Sequence, residues 1–210
     1  SFINEGNGIL SIGSPDGITN APTMAGNIQT VMRKYVLSFN NSNRYTFTYN
    51  GNAPQVIGDG LPRFPSDSSC AGIINIDNSY GITLNDSIFV KSYINNSGNK
   101  STFQIKKHGK CTVNNDINSQ ASIVGSDNTL FVLEDSATIV VNDSMENRIK
   151  GFDFIFSASR FSSRANYEFR GHHTGTFLTS PNTNTVSRLI LEDTAATVTL
   201  DQNFTVNDSL

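Results

Sequence analysis

The sequence predicts an all-β repeat protein, a solenoid of stacked β-coils, on three observations. A phrase recurs: Ile74-Asn75-Ile76-Asp77 leading to Gly81-Ile82-Thr83-Leu84-Asn85-Asp86, Val132-Leu133-Glu134-Asp135 leading to Ile139-Val140-Val141-Asn142-Asp143, and Ile190-Leu191-Glu192-Asp193 leading to Val198-Thr199-Leu200-Asp201. Its aspartates, Asp77, Asp135 and Asp193, are 58 residues apart (135 − 77 and 193 − 135). An even period marks an architecture in which each unit buries its apolar side chains against the next. The composition is rich in Asn, Ser and Thr, with 16 Gly, no Trp and only 16% charged residues, so strand and turn formers dominate and helix-forming stretches are nearly absent. Short apolar runs alternate with Asn-Ser, Asn-Asp, Asp-Gly and Ser-Pro steps, whose residues accept left-handed backbone or bond their own main chain.

Read in order, the strand-like runs are 8–12, 30–39, 45–49, 71–76, 81–84, 87–94, 102–105, 130–133, 137–141, 152–156, 165–169, 188–191 and 197–200. A second feature sits between the aspartate phrases: Phe39-Asn40-Asn41-Ser42 before Tyr45-Thr46-Phe47, Ile94-Asn95-Asn96-Ser97 before Ser101-Thr102-Phe103, and Phe161-Ser162-Ser163 before Tyr167-Glu168-Phe169. Its uneven intervals fit stacked coils, which tolerate variable corners between persistent strands. A unit of 58 residues (135 − 77) is small for a β-sandwich, the alternative all-β architecture. It fits about two or three coils of roughly 20–25 residues. The expected organisation is a degenerate N-terminal repeat or cap over 1–64, repeat units at 65–122 and 123–180, and a partial unit at 181–210 that continues in a longer chain. The opening on Ser1, without Met or a signal-like apolar block, likewise predicts a processed chain or a piece of a longer one. In this scheme Ile74, Val132 and Ile190 point inward at equivalent places, and Asn85 and Asn142 brace corners by bonding neighbouring backbone.

Charge and composition exclude several classes. The net charge of −3 gives no electrostatic footprint for nucleic acid, and the one basic cluster, Lys106, Lys107, His108 and Lys110, reads as a solvated strand end or turn. No apolar run approaches the ~20 residues a membrane-spanning helix needs. Cys70 and Cys111 allow one disulfide or two thiols and match no zinc spacing. Sequons at Asn40, Asn85, Asn95, Asn99, Asn142, Asn203 and Asn207 are what an Asn/Ser/Thr-rich chain produces by chance.

The phrase from Val198 to Asp208 and the Asn-rich turn Phe39-Asn40-Asn41-Ser42-Asn43-Arg44 before Tyr45-Thr46-Phe47 resemble the passenger repeats of bacterial autotransporter and filamentous-haemagglutinin-type surface proteins. The pattern covers most of residues 71–210, although glycine is sparser here than in such passengers and residues 21–70 fit poorly. The resemblance implies a right-handed parallel β-helix on a cell or particle surface, acting as a stalk, fibre or adhesin. Phage tailspikes and fibres share that architecture.

Candidate chemistry is sparse. Asp77, Asp135 and Asp193, with Glu134 and Glu192 beside them, could line one edge as acids or calcium ligands, but acids repeated in every unit point to a corner role, whereas an active site occurs once. His172 and His173 face opposite sides of any strand, and with His108 they read as surface groups. Tyr45, Phe47, Tyr49, Phe152, Phe154, Phe156, Phe161, Tyr167 and Phe169 form an aromatic series expected in the core, or, if exposed, a contact for glycan or protein. The sequence therefore assigns no catalytic, cofactor-binding or metal-ligating residue. It predicts a non-enzymatic extracellular, cell-surface or virion-surface scaffold. The expected partners are further copies end to end or further repeats, and a cell-surface glycan or protein, with no nucleic acid and no membrane span in this segment. The alternatives are a tailspike-type polysaccharide depolymerase or receptor-binding fibre, and a β-sandwich subunit of a virion or pilus-like assembly.

Overall fold

A computed structural model describes residues 9–19, 28–29, 46–61, 71–114, 123–143, 154–155, 158–171, 176–177, 185–193, 199–200 and 205–209. The described residues hold β-strands, turns and bends, and no helix. The strands begin with β1 (Ile9–Ile12), β2 (Ile18–Thr19), β3 (Ile28–Gln29), β4 (Thr46–Tyr49), β5 (Gln55–Val56), β6 (Ala71–Ile76) and β7 (Ile82–Leu84). They continue with β8 (Ser87–Asn96), β9 (Thr102–Ile105), β10 (Lys110–Val113), β11 (Ile123–Gly125), β12 (Leu130–Leu133), β13 (Thr138–Asp143) and β14 (Phe154–Ile155). The last are β15 (Ala158–Phe161), β16 (Asn166–Gly171), β17 (Thr176–Phe177), β18 (Thr185–Asp193), β19 (Thr199–Leu200) and β20 (Thr205–Ser209).

Every described pairing is parallel, unlike the antiparallel pairing that builds a β-sandwich. The pairings form three main ladders. One joins Ser87–Val90 of β8 to β10, β13, β16, β18 and β20. A second runs β1, β4, β6, the later half of β8, β11 and β14. The third runs β5, β7, β9, β12 and β15. Along each ladder the strands follow in ascending chain order. The chain visits the third, first and second ladders in turn as β9, β10, β11 and again as β12, β13, β14. The long strand β8 passes from the first ladder to the second without interruption, which merges the two into one eleven-stranded sheet.

Alternation decides what faces inward. β4, β9, β10 and β12 each bury every second residue. In register, Ile88, Cys111, Ile139, Tyr167 and Leu189 stack along the first ladder. Phe47, Ile74, Ile94 and Ile123 stack along the second, and Leu84, Ile105, Leu133 and Phe161 along the third. All these residues belong to one hydrophobic cluster. Within it Phe103 and Phe131 stack at 5.4 Å between centroids, and Phe161 meets Phe131 edge-on at 5.3 Å. Phe47, Tyr49, Phe161, Tyr167 and Phe169 are all buried, so these members of the aromatic series are core, while the side chains of Tyr45, Phe152, Phe154 and Phe156 lie outside the described residues. Cys111 is a fully buried free thiol, and burial raises its pKa; Cys70 lies outside the described residues.

The corners share one construction. A backbone N–H donates to the carbonyl three residues back in Ser101→Gly98, Gly109→Lys106, Thr129→Ser126, Ala137→Glu134 and Ala165→Ser162, and each closing residue is small and buried. At four of these turns the residue before the closing one takes left-handed backbone: Lys100, His108, Asn128 and Ser136, with φ of 59–67°. Corners then stack on corners, because Leu130 N–H donates to Ser101 O, Thr138 N–H to Gly109 O and Asn166 N–H to Ala137 O. Nearer the N-terminus a buried amide cluster replaces apolar filling. Gln55 Nε2 donates to Ile12 O and Ser14 O at 2.9 Å each, and Gln55 Oε1 accepts from Gly51 N–H and Asn78 Nδ2 at 2.8 Å each.

The register corrects the equivalence expected from the recurring phrase. Lys110 pairs with Thr138 and Thr138 with Asn166, two steps of 28 residues (138 − 110 and 166 − 138), while Ile73 pairs with Tyr93 in a step of 20. Because steps differ in length, a spacing of 58 returns to a different ladder. Ile74 is buried on the second ladder, Val132 lies half-buried on the third among Gln104 and Arg160, and Ile190 is half-buried on the first beside Glu168. Only Ile74 points inward as expected. Asn142 likewise lies in a strand and donates to the Asn114 side chain at 2.7 Å, not to corner backbone; Asn85 is exposed next to β7.

Candidate functional site

The acids named from the sequence do not converge. Asp77 is exposed beyond the end of β6, where its N–H donates to Tyr49 O, and Asp135 is exposed in the corner between β12 and β13, where it accepts from Ser162 Oγ and pairs with Arg164 at 3.8 Å. Asp193 ends β18 on the first ladder. They thus follow or end strands of three different ladders, for the reason just given. Among the described residues no group of three or more His, Cys, Asp or Glu could hold a metal ion. His108 is exposed at its corner, and His172 and His173 lie outside the described residues. Lys106, Lys107 and His108 form a turn, and Lys110 opens β10.

Glu134, beside Asp135 in the repeated phrase, has three donors to its carboxylate. Its carboxylate accepts from Gln104 Nε2 at 2.6 Å, Lys106 Nζ at 3.0 Å and the Lys107 backbone N–H at 2.9 Å. Burial pushes its pKa up, but the Lys106 and Lys107 hydrogen bonds, the Lys106 charge and the Gln104 amide outweigh that and hold it below the usual carboxylate value. A folded-state pKa below the unfolded one means this contribution is complete above the unfolded value and is lost as pH falls through the folded one. The stability gap between the native chain and Glu134→Gln should therefore close between about pH 5 and pH 3 in urea melts. A gap independent of pH would show that the carboxylate charge plays no part.

The cleft that matters lies on the outer face of the first ladder. There the alternation breaks: β8 buries Ile88, Phe89 and Val90 in succession, so Phe89, on an outward position, is only 6% exposed. In register with it outward come Thr112, Val140 and Glu168, the last two 4% and 5% exposed. These four residues floor a cleft of about 420 Å³, with Ser87 and Lys110 on one side and Asn114, Asn142 and Arg170 on the other. The Asn142 to Asn114 hydrogen bond runs along that second wall.

Glu168 organises one end. Burying a carboxylate is costly unless cations and donors replace water. Arg170 Nη2 donates to Oε2 at 3.1 Å, Lys110 Nζ stands 3.7 Å from Oε2, and Arg188 Nη1 stands 3.8 Å from Oε1. Arg170 also pairs with Glu192 at 3.4 Å. The cations are 42–49% exposed whereas Glu168 is 7% exposed at its side chain, so exposed positive groups surround a sunken acid, Lys110 and Arg170 in the cleft's lining and Arg188 beside it. Chemically the arrangement offers an apolar floor, amides and a hydroxyl along its length, and charge at one end. It suits binding. The lining holds a single carboxyl group, where glycoside hydrolysis uses two.

Sequence reasoning had not singled out Glu168 as part of a site. Its signal was present in Tyr167-Glu168-Phe169-Arg170, where charges two apart on a strand share a face. What the sequence could not supply was the partner strands that bring Lys110 and Arg188 alongside.

The described residues thus define an all-β protein of parallel ladders with a charged cleft on one outer face. No protein-family model, no curated protein and no solved structure matches this chain. Among the described residues, no helix is long and apolar enough to cross a membrane.

Proposed function

We propose that this chain is a length of right-handed parallel β-helix serving as a non-enzymatic stalk, fibre or adhesive passenger on an extracellular, cell or virion surface. The observation that carries this reading is the ascending order of parallel strands in all three ladders, joined corner to corner by hydrogen bonds. Such stacking transmits rigidity along one axis and extends by adding laps. It also leaves strand edges to be met at each end: β1 pairs with β4 alone among the described strands, and Ile9 is 72% exposed. Parallel pairing at such an edge is the route to end-to-end association or to continuation in further repeats. Electron microscopy of the purified chain tests this. The expected result is straight rods or filaments with an axial rise of about 4.8 Å per lap. Compact globules or beaded fibres overturn it.

A second reading, a tailspike-type polysaccharide depolymerase, draws on one feature: Glu168 occurs at one step of its ladder, with Phe89, Thr112, Val140 and Ile190 at the others. Release of new reducing ends from a polysaccharide, abolished in Glu168→Gln, would establish it over the scaffold reading.

A further inference from the structure

We infer that the cleft on the outer face of the first ladder binds a short acidic saccharide, its carboxylate held by Lys110 of the lining and by Arg188, which stands beside Glu168 just past the lining, and its rings laid over Val140 and Phe89. The inference rests on the reading of the chain as a surface-displayed binding scaffold, and it supplies the partner class.

Four features select this ligand. From Phe89 to Glu168 the floor spans three strand spacings, about 14 Å, which suits an extended chain of rings better than a compact ion. The floor is apolar at Phe89 and Val140, while Thr112, Asn114 and Asn142 place a hydroxyl and amides beside it. A sugar has that complement: apolar ring faces and hydroxyl edges. The charged end adds a preference for an anion. Lys110 and Arg188 approach Glu168 only to 3.7 and 3.8 Å, beyond hydrogen-bond reach, so both retain donors for an incoming carboxylate. The charge of Glu168 draws these cations to one end of the floor. An uncharged saccharide forfeits the ion contacts, and a bare inorganic anion forfeits the floor.

The test is isothermal titration of the full chain with trigalacturonate, its fully methyl-esterified form, and inorganic sulfate. Trigalacturonate is expected to bind saturably with a Kd of about 0.1–1 mM. The methyl ester, which keeps the rings and loses the charge, should bind at least about 10-fold more weakly. Lys110→Gln and Arg188→Gln should each weaken trigalacturonate by about 5-fold or more, and Lys107→Gln, in the corner away from the cleft, should not. Thr112→Trp, which fills the floor and leaves every charge, should abolish binding. The absence of saturable binding at about 10 mM ligand overturns the site. So does affinity unchanged in both Lys110→Gln and Arg188→Gln. Equal affinity for the methyl ester or for sulfate overturns the acidic-saccharide assignment. Rods in the microscope together with no titration signal would remove the cleft's ligand and leave the scaffold standing; binding by a globular particle would do the reverse.

Discussion

Phe131→Ala is expected to lower stability by about 3–5 kcal/mol. For a chain of this size that corresponds to a thermal midpoint lower by roughly 10 °C. Phe131 is 0% exposed, stacks on Phe103 of β9 and receives the edge of Phe161 of β15, the two strands that flank β12. Truncation removes the middle ring of three on neighbouring strands. Phe103 and Phe161 are each pinned by backbone pairing to β12, so they close over the void only in part. Part of the cost is dispersion lost on both sides. Phe131→Leu, which retains most of the volume, should recover about half of it. Urea and thermal melts decide the matter; a loss below about 1 kcal/mol would mean that the laps repack freely.

Gly58→Ala should be as damaging but more local. Gly58 has φ +87°, a region that disfavours alanine, and a Cβ there would lie 2.1 Å from the carbonyl oxygen of Ile18. That oxygen is itself fixed by the Gly60 N–H at 2.8 Å. The clash is with backbone, and Gly17 on the opposing segment is equally tight, with Val56 O 2.2 Å from where its Cβ would be. Relief requires separating the β2 region from the β5 region, at a cost on the order of 3 kcal/mol or more. Because each strand pairs with its ladder neighbours, hydrogen exchange should accelerate at Ile18 and Ile57 and stay unchanged across β12, β13 and β16. Gly13→Ala serves as the control: a Cβ there meets nothing within 4 Å, and its effect should be small. Uniform acceleration along the whole chain would refute the nearest-neighbour picture.

Much of the strand content was legible. β6, β9 and β12 begin and end where their apolar runs do, because β-branched and aromatic residues in those runs are bounded by residues that favour turns. The two-residue strands β2 and β5 were not foreseen, since two residues carry no alternation to register, nor was β10, whose Lys110-Cys111-Thr112-Val113 follows directly on a basic turn. The corners were legible in kind but not in register. Their closing residues Gly109, Ala137 and Ala165 fall 28 apart (137 − 109 and 165 − 137), which is the step of strand pairing along this stretch. The recurring aspartate phrase was louder and pointed elsewhere. Different residues can fill a corner's small buried position, so its period is faint in the letters although the geometry demands it.

By itself the sequence determined an all-β chain of short strands and tight corners, since these properties follow from local backbone preference and alternation. Tertiary structure alone decided which strands lie side by side. Ladder membership depends on the summed length of every strand and corner in a lap, so one change in corner length moves all later residues to new neighbours. That is why Val132 turned out to be half-buried on another ladder than Ile74, and why Lys110 and Arg188, far apart in the chain, both come to Glu168.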